Sequence, residues 1–184
     1  GVLAWATWER GAGYTHAKAK RAHALFNSLA VVFAVVGLIG IFRNHGAHAP
    51  GWEPSAHPPL YSAHSWVGIA AAAATLGAAV YGIGAFVVGD ALGFTAEAKA
   101  RAVPFHRAVA LFAYFGGLLA MAMGVQEKQG FTACPDGGAR CTNKTILGML
   151  SLFILVLGAA VAVRLGADAE AKRTELDERA RLIA

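Results

Sequence analysis

Apolar residues in this chain gather into long runs; they do not alternate with polar ones. Four stretches contain no Asp, Glu, Lys or Arg: Ala22 to Phe42, Pro54 to Gly89, Ala108 to Gln126, and Thr145 to Val163. Each supplies the ~20 apolar residues that a helix needs to cross a bilayer. The second stretch opens with PSAHPPLYSAHS, whose three prolines and polar residues read as loop, so its helix is placed at about His64 to Val88. The pattern predicts spans at about 22–42, 64–88, 105–126 and 145–164, with a charge-rich tail over 166–184. Within the spans apolar residues occupy every side of the helix, as suits helices enclosed by lipid and by one another. The fold class this implies is all-α: an integral membrane helical bundle forming a single domain over residues 1–184.

Small residues are dense inside the spans, at Ala70 to Ala74, Gly77 to Ala79, and Gly116-Gly117. They permit close helix contact, which drives association in lipid. Poly-alanine is also simply a good helix former, and the sequence leaves both readings open.

Composition supports the membrane reading. Of 184 residues 57% are hydrophobic and 15% charged, and the mean hydropathy is +0.50, whereas a soluble domain carries about 25% charged residues. This excludes a soluble enzyme and a disordered tail. The net charge of +5 does not indicate nucleic acid, because the basic residues sit in the gaps between apolar runs and not on one face of a soluble fold. Two cysteines are too few for a disulfide scaffold or a cysteine-only zinc site. The chain opens on Gly1 with no basic n-region and small-residue cleavage site behind it, and its start is read as processed or truncated.

Four spans place both ends of the chain on one side, together with the connection between spans two and three. That side carries Arg10, Lys18, Lys20, Arg21, Lys99, Arg101, Arg107, Arg164, Lys172, Arg173, Arg179 and Arg181; the other has Arg43, Lys128, Arg140 and Lys144. The imbalance assigns the first side to the cytoplasm. Cys134 and Cys141 then face the opposite compartment within CPDGGARC, where an oxidising medium would close them as a disulfide ring. Two free thiols are the alternative. Asn143-Lys144-Thr145 is formally a glycosylation sequon on that side, but it lies almost against the fourth span. From Asp168 onward Glu175/Arg179 and Asp177/Arg181 stand at i, i+4 spacing, as in a solvated cytoplasmic helix. There is no internal repeat, no phosphate-cradling glycine loop, and no nucleophile with a partnering His and acid.

The chain holds seven histidines. His16, His48 and His57 read as exposed loop residues. His23, His64 and His106 open the first, second and third spans, and ionisable residues at such positions are usually functional. Spans one and three run in the same direction, so His23 and His106 share a depth and can face one another. Facing neutral imidazoles are how helical bundles hold metals and haems; hydrogen-bonded packing histidines are the alternative. His64 lies in the opposite leaflet, with His45 the only nearby candidate partner.

At these residues the chain resembles the cytochrome b561 family of transmembrane ascorbate-dependent reductases with two b-type haems. The resemblance runs from about His23 to Arg164. It rests on HALFN followed by an apolar span ending in FRNH, on YSAHSWVGI, on PFH opening the third span and on MGVQEK closing it. It implies that His23 and His106 are the axial ligands of the cytoplasmic haem, and that His64 is one ligand of the haem on the far side. The family's other ligand for that haem belongs to a preceding helix with an Asn and a His-Pro motif. His57-Pro58 lies in the wrong loop for that role. GVLAWATW is similar to the cytoplasmic end of that helix, so the chain would hold the last four of six helices plus the end of the one before.

The resemblance further implies ascorbate as cytoplasmic donor. Lys18, Lys20, Arg21 and Arg101 cluster in sequence around His23 and His106 and would form a basic mouth for this anion; they are equally positive-inside anchors. On the far side the acceptor would be monodehydroascorbate or a ferric chelate, met by Asn44, His45 and Tyr61, with Arg43 beside them. Bis-histidine ligation leaves no open position on the iron, so the chemistry is outer-sphere electron transfer between haem b groups. It is electrogenic and depends on membrane potential. Two rival classes stay in view: a non-enzymatic anchor subunit of a larger complex, whose basic residues bind partners or anionic lipid, and a small transporter, which the spans disfavour by lacking paired charges and broken helices. An endomembrane or plasma-membrane location, and assembly as a homodimer or a larger membrane complex, are compatible with the sequence.

Overall fold

The computed structural model describes residues 15–46, 60–132, 134 and 141–183, with the side chains of 44–46 and 131 left out. Among the described residues there are four helices and no strand: α1 (His16–Gly46), α2 (Ala63–Gly82), α3 (Ala96–Phe131) and α4 (Thr142–Ile183). All four are long and apolar enough to cross a membrane. The protein is therefore an all-α, multi-pass membrane bundle.

Local chemistry sets several helix ends. Thr95 caps α3, its side chain accepting from the Ala98 N–H at 3.2 Å, and Glu97 adds a carboxylate to the first turn. The third span is expected from residue 105, but the helix itself begins at Ala96 and carries Pro104 in its interior. Proline removes one backbone hydrogen bond without ending the helix here. Before α3 the chain reverses through a turn in which Gly93 adopts a φ of +76° and its N–H donates to the Asp90 carbonyl at 3.1 Å. Only glycine takes that conformation at no steric cost. α4 has 42 residues and is about 63 Å long, roughly twice the ~30 Å hydrocarbon core. Its apolar half runs without a break into the charged tail, where Arg179 pairs with Glu175 at 2.8 Å.

The α2–α3 pair is the centre of the bundle. Ala71, Ala78 and Ala85 are buried at seven-residue intervals along α2 and its continuation, a heptad seam. A Cβ built on Gly116 would stand 3.4 Å from the Ala71 Cβ, and one on Gly68 would stand 3.7 Å from the Ala120 Cβ. The small residues thus form a contact surface that lets the two backbones approach. On its other side α3 packs against α4 through Leu118, Ala122 and Ile154, with Tyr114, Phe115 and Val125 around them. Two hydrogen bonds tie this pair: Ser151 Oγ to the Ala122 carbonyl at 3.3 Å and Gln129 Nε2 to the Lys144 carbonyl at 2.9 Å. Large apolar side chains point outward, with Phe33 71%, Phe153 65% and Val163 73% exposed. In water this surface would aggregate; in a bilayer it meets lipid.

α2 does not end as a regular α-helix. Ile83–Val87 form a π-helical turn closed by the Val88 N–H donating to the Ile83 carbonyl at 3.0 Å. Such turns re-aim neighbouring side chains and recur at functional sites. This one sits beside His106.

Candidate functional site

α2 and α3 are antiparallel, and each carries a histidine that lies against a glycine of the other. His106 packs on Gly82 and His64 packs on Gly124. Each glycine is eighteen residues beyond the histidine of its own helix, about 27 Å along the axis. The two contacts therefore mark opposite ends of one helix pair, separated by roughly the thickness of the hydrocarbon core.

At the first end, a Cβ on Gly82 would come within 2.7 Å of His106 Cε1, so the ring occupies space that only glycine leaves open. The Tyr81 ring lies nearly parallel to His106, 6.4 Å away with an interplanar angle of 16°, and Phe86 from the π-helical turn meets it edge-on at 5.5 Å. α1 brings His23 to the same place, its ring centre 6.3 Å from that of His106 and tilted by 68°. The His23 carbonyl accepts from Asn27 Nδ2 at 2.7 Å. His106 Nδ1 is buried with no hydrogen-bond partner, while its ring also reaches the Ala78 carbonyl. An orphaned buried nitrogen is costly and calls for an explanation.

An iron bound by both rings would supply one. Metal–imidazole bonds of about 2 Å on each side, together with the two half-rings, account for a centre-to-centre spacing like the one observed. The unpartnered nitrogen also fits a haem held by His23 and His106.

At the opposite end the surroundings of the histidine are polar. His64 Nδ1 pairs with Glu127 Oε2, and Tyr61 Oη donates to Glu127 Oε1. Ser62 Oγ lies 2.9 Å from the same His64 nitrogen and 3.0 Å from Ser65 Oγ. A Cβ on Gly124 would sit 3.5 Å from His64 Cδ2, an ordinary contact. Tyr61, predicted near this site, is thus joined to His64 through Glu127. Asn44 and His45 occupy the last turn of α1, with side chains outside the described residues, and Arg43 before them is exposed. His48, His57, Pro58, Arg10, Arg140 and the GVLAWATW segment lie outside the described residues.

Basic residues gather at the His106 end. Lys18, Lys20 and Arg21 are exposed on the first turns of α1. Lys99 pairs with Asp90, and the Lys99 hydrogen bond and charge, with Lys20 contributing more weakly, hold the Asp90 carboxyl below the usual carboxylate range. Arg101, expected in the same mouth, pairs with Glu97 one turn earlier on an exposed face.

Cys134 and Cys141 appear as two thiols linked by a side-chain hydrogen bond. That bond pushes the Cys134 thiol up and lowers Cys141, which the backbone N–H groups of Lys144 and Asn143 lower further.

Sequence reasoning misses Gly82, Gly124, Glu127, Asp90 and Lys99. The equal histidine-to-glycine spacing in the second and third spans could have found the two glycines, and MGVQEK contains Glu127. Nothing local reveals that Asp90 faces Lys99.

The fold and these two ends define a class: a multi-pass helical membrane protein with a histidine seated against glycine at each end of its central helix pair. The family model for eukaryotic cytochrome b561 matches residues 1–132, and the chain belongs to that family. The chain is 29% identical over 148 residues to ascorbate-specific transmembrane electron transporter 1 of Zea mays, covering 80% of this chain and 58% of the relative. It is 25% identical over 154 residues to transmembrane ascorbate ferrireductase 1 of Arabidopsis thaliana, covering 81% and 58%. With the plasma membrane ascorbate-dependent reductase CYBRD1 of Mus musculus it shares 27% over 143 residues, covering 77% and 46%. The chain therefore spans about half the length of these relatives. No solved structure matches it.

Proposed function

We propose that the protein is an oxidoreductase that passes electrons from ascorbate across the membrane to monodehydroascorbate or a ferric chelate, through two haem b groups. The observation that carries this reading is the His23–His106 pair, with ring centres 6.3 Å apart beside an unpartnered buried nitrogen. Family membership supports it, as do relatives named for ascorbate-dependent electron transport and ferrireduction. His23 and His106 hold one haem, and His64 supplies one ligand to the second. Bound there, each haem supplies a one-electron carrier.

The chain's own residues define the rest. Glycine at 82 leaves room for the His106 ring, and Tyr81 and Phe86 pack around that ring. Lys18, Lys20 and Arg21 give the His106 end a positive field that attracts ascorbate. By the positive-inside rule this end, with both chain ends, is cytoplasmic. Ascorbate there loses one electron and one proton to become monodehydroascorbate. Beyond the opposite end, Asn44, His45 and Tyr61 meet the acceptor: monodehydroascorbate takes up one electron and one proton, or Fe(III) in a chelate becomes Fe(II). Protons stay on the side where they are released, so turnover is electrogenic. Cys134 and Cys141, adjacent in space, form a disulfide in the compartment of the acceptor.

A reduced-minus-oxidised spectrum of the purified protein, with ascorbate as reductant, tests the reading. A b-type band that ascorbate develops is the expected result. Its absence overturns the assignment.

A further inference from the structure

We infer that Glu127 is a positioning residue for His64: its carboxylate anchors the imidazole through Nδ1, leaving Nε2 to the iron, and makes the histidine a more electron-rich ligand. The inference rests on the reading of His64 as a haem ligand.

Three observations at the end of α3 converge. Glu127 lies three residues after Gly124, so the glycine that admits the His64 ring and the carboxylate that holds it are on one helix face. The carboxylate side chain is 20% exposed and engages a separate donor with each oxygen, His64 Nδ1 at one and the Tyr61 hydroxyl at the other. The start of α2 is thereby tied to the end of α3 by the residues flanking the ligand. A carboxylate accepts only, so Nδ1 must carry the proton and Nε2 the lone pair. With Nδ1–H committed to Glu127, the Ser62 hydroxyl can only accept at that nitrogen, and it shares a hydrogen bond with Ser65 Oγ 3.0 Å away.

A carboxylate hydrogen-bonded to a ligating histidine fixes ring orientation and raises ligand basicity. A more basic ligand favours the ferric form, and outer hydrogen bonds are one of the protein's levers on haem potential. At the other end the side chains around His106 are the rings of Tyr81, Phe86 and His23.

The experiment compares Glu127→Gln, Glu127→Ala, Tyr61→Phe and His64→Ala in the haem-loaded full-length protein by redox titration, by electron paramagnetic resonance of the oxidised state, and by haem retention. Glu127→Gln keeps the shape and removes the charge. The expected result is an upward shift in the midpoint of one haem, by about 59 mV for a tenfold change in a one-electron equilibrium, with the other haem unmoved. Glu127→Ala is expected to weaken haem retention at that centre by about tenfold or more, and Tyr61→Phe to shift the same midpoint by less. His64→Ala should abolish that centre. If His64→Ala removes one haem while Glu127→Gln and Glu127→Ala leave potentials, spectra and retention unchanged, the role of Glu127 falls and the ligand assignment stands. If His64→Ala leaves both haems in place, the ligand assignment falls and the inference with it.

Discussion

The two ends of the α2–α3 pair share a plan and differ in chemistry. At both ends a histidine in the first half of one helix lies against a glycine in the second half of the other. Around His106 the neighbours are Tyr81, Phe86 and the facing His23, and one ring nitrogen goes without a partner. Around His64 they are Glu127, Tyr61, Ser62 and Ser65, and one ring nitrogen is held by a carboxylate. The helix pair repeats the ring-on-glycine geometry, while the surrounding side chains set how each ring is oriented and how electron-rich it is. The two ring environments can thus be tuned separately without altering the helices.

The largest effect that tests this comparison comes from removing one ring. His106→Ala and His23→Ala are each expected to remove the haem at their own end, about half of the total content, and to leave the spectrum of the other centre intact. Quantitation of haem per chain, with resonance of the remaining centre, checks this. Full haem content in either variant would show that the two rings do not share one iron.

A smaller effect separates the two glycines. Alanine improves on glycine in a helix by about 1 kcal/mol, whereas overpacking costs about 1–3 kcal/mol. At Gly82 a new Cβ would lie 2.7 Å from the His106 ring, and overpacking wins. At Gly124 the nearest atom of His64 is 3.5 Å away, and the helix gain wins. Gly82→Ala should therefore reduce haem content and perturb one spectrum, while Gly124→Ala should keep both haems and match or exceed the parent in thermal stability. Equal loss in both variants would mean that the ends are packed alike.

This asymmetry also marks where the sequence stops being informative. The runs Ala22 to Phe42 and Thr145 to Val163 are legible because lipid imposes a length and a composition on anything that crosses it. His23 and His106 are legible because charges at membrane depth are expensive and their spans run in the same direction. Glu127 is not, because its role exists only once an antiparallel partner brings His64 within reach of it, sixty-three residues away in the chain. The tightness of Gly82 is likewise a property of the helix interface, not of either helix. Arg101 shows the converse: basic residues near the ligands in sequence suggested one cluster, but Glu97 occupies Arg101 from the preceding turn of its own helix.

The smallest effect concerns the acidic residue in the otherwise basic His106 end. Asp90 is held below the usual carboxylate range by its hydrogen bond to Lys99 and by the charges of Lys99 and Lys20. A depressed folded-state value means that this pairing supports the fold above the unfolded value of about 3.9 and is lost as pH falls through the folded one. Between about pH 5 and 8 Asp90 is therefore an anion, and it cancels part of the positive field at this end. Asp90→Asn frees Lys99 and adds one net positive charge there, so the KM for ascorbate should fall, by about two- to fivefold at low salt given the modest strength of exposed ion pairs. Lys20→Ala should raise it by a similar factor, and added salt should shrink both changes. A KM that moves in neither variant would show that the lysines at this end serve only to orient the chain in the membrane.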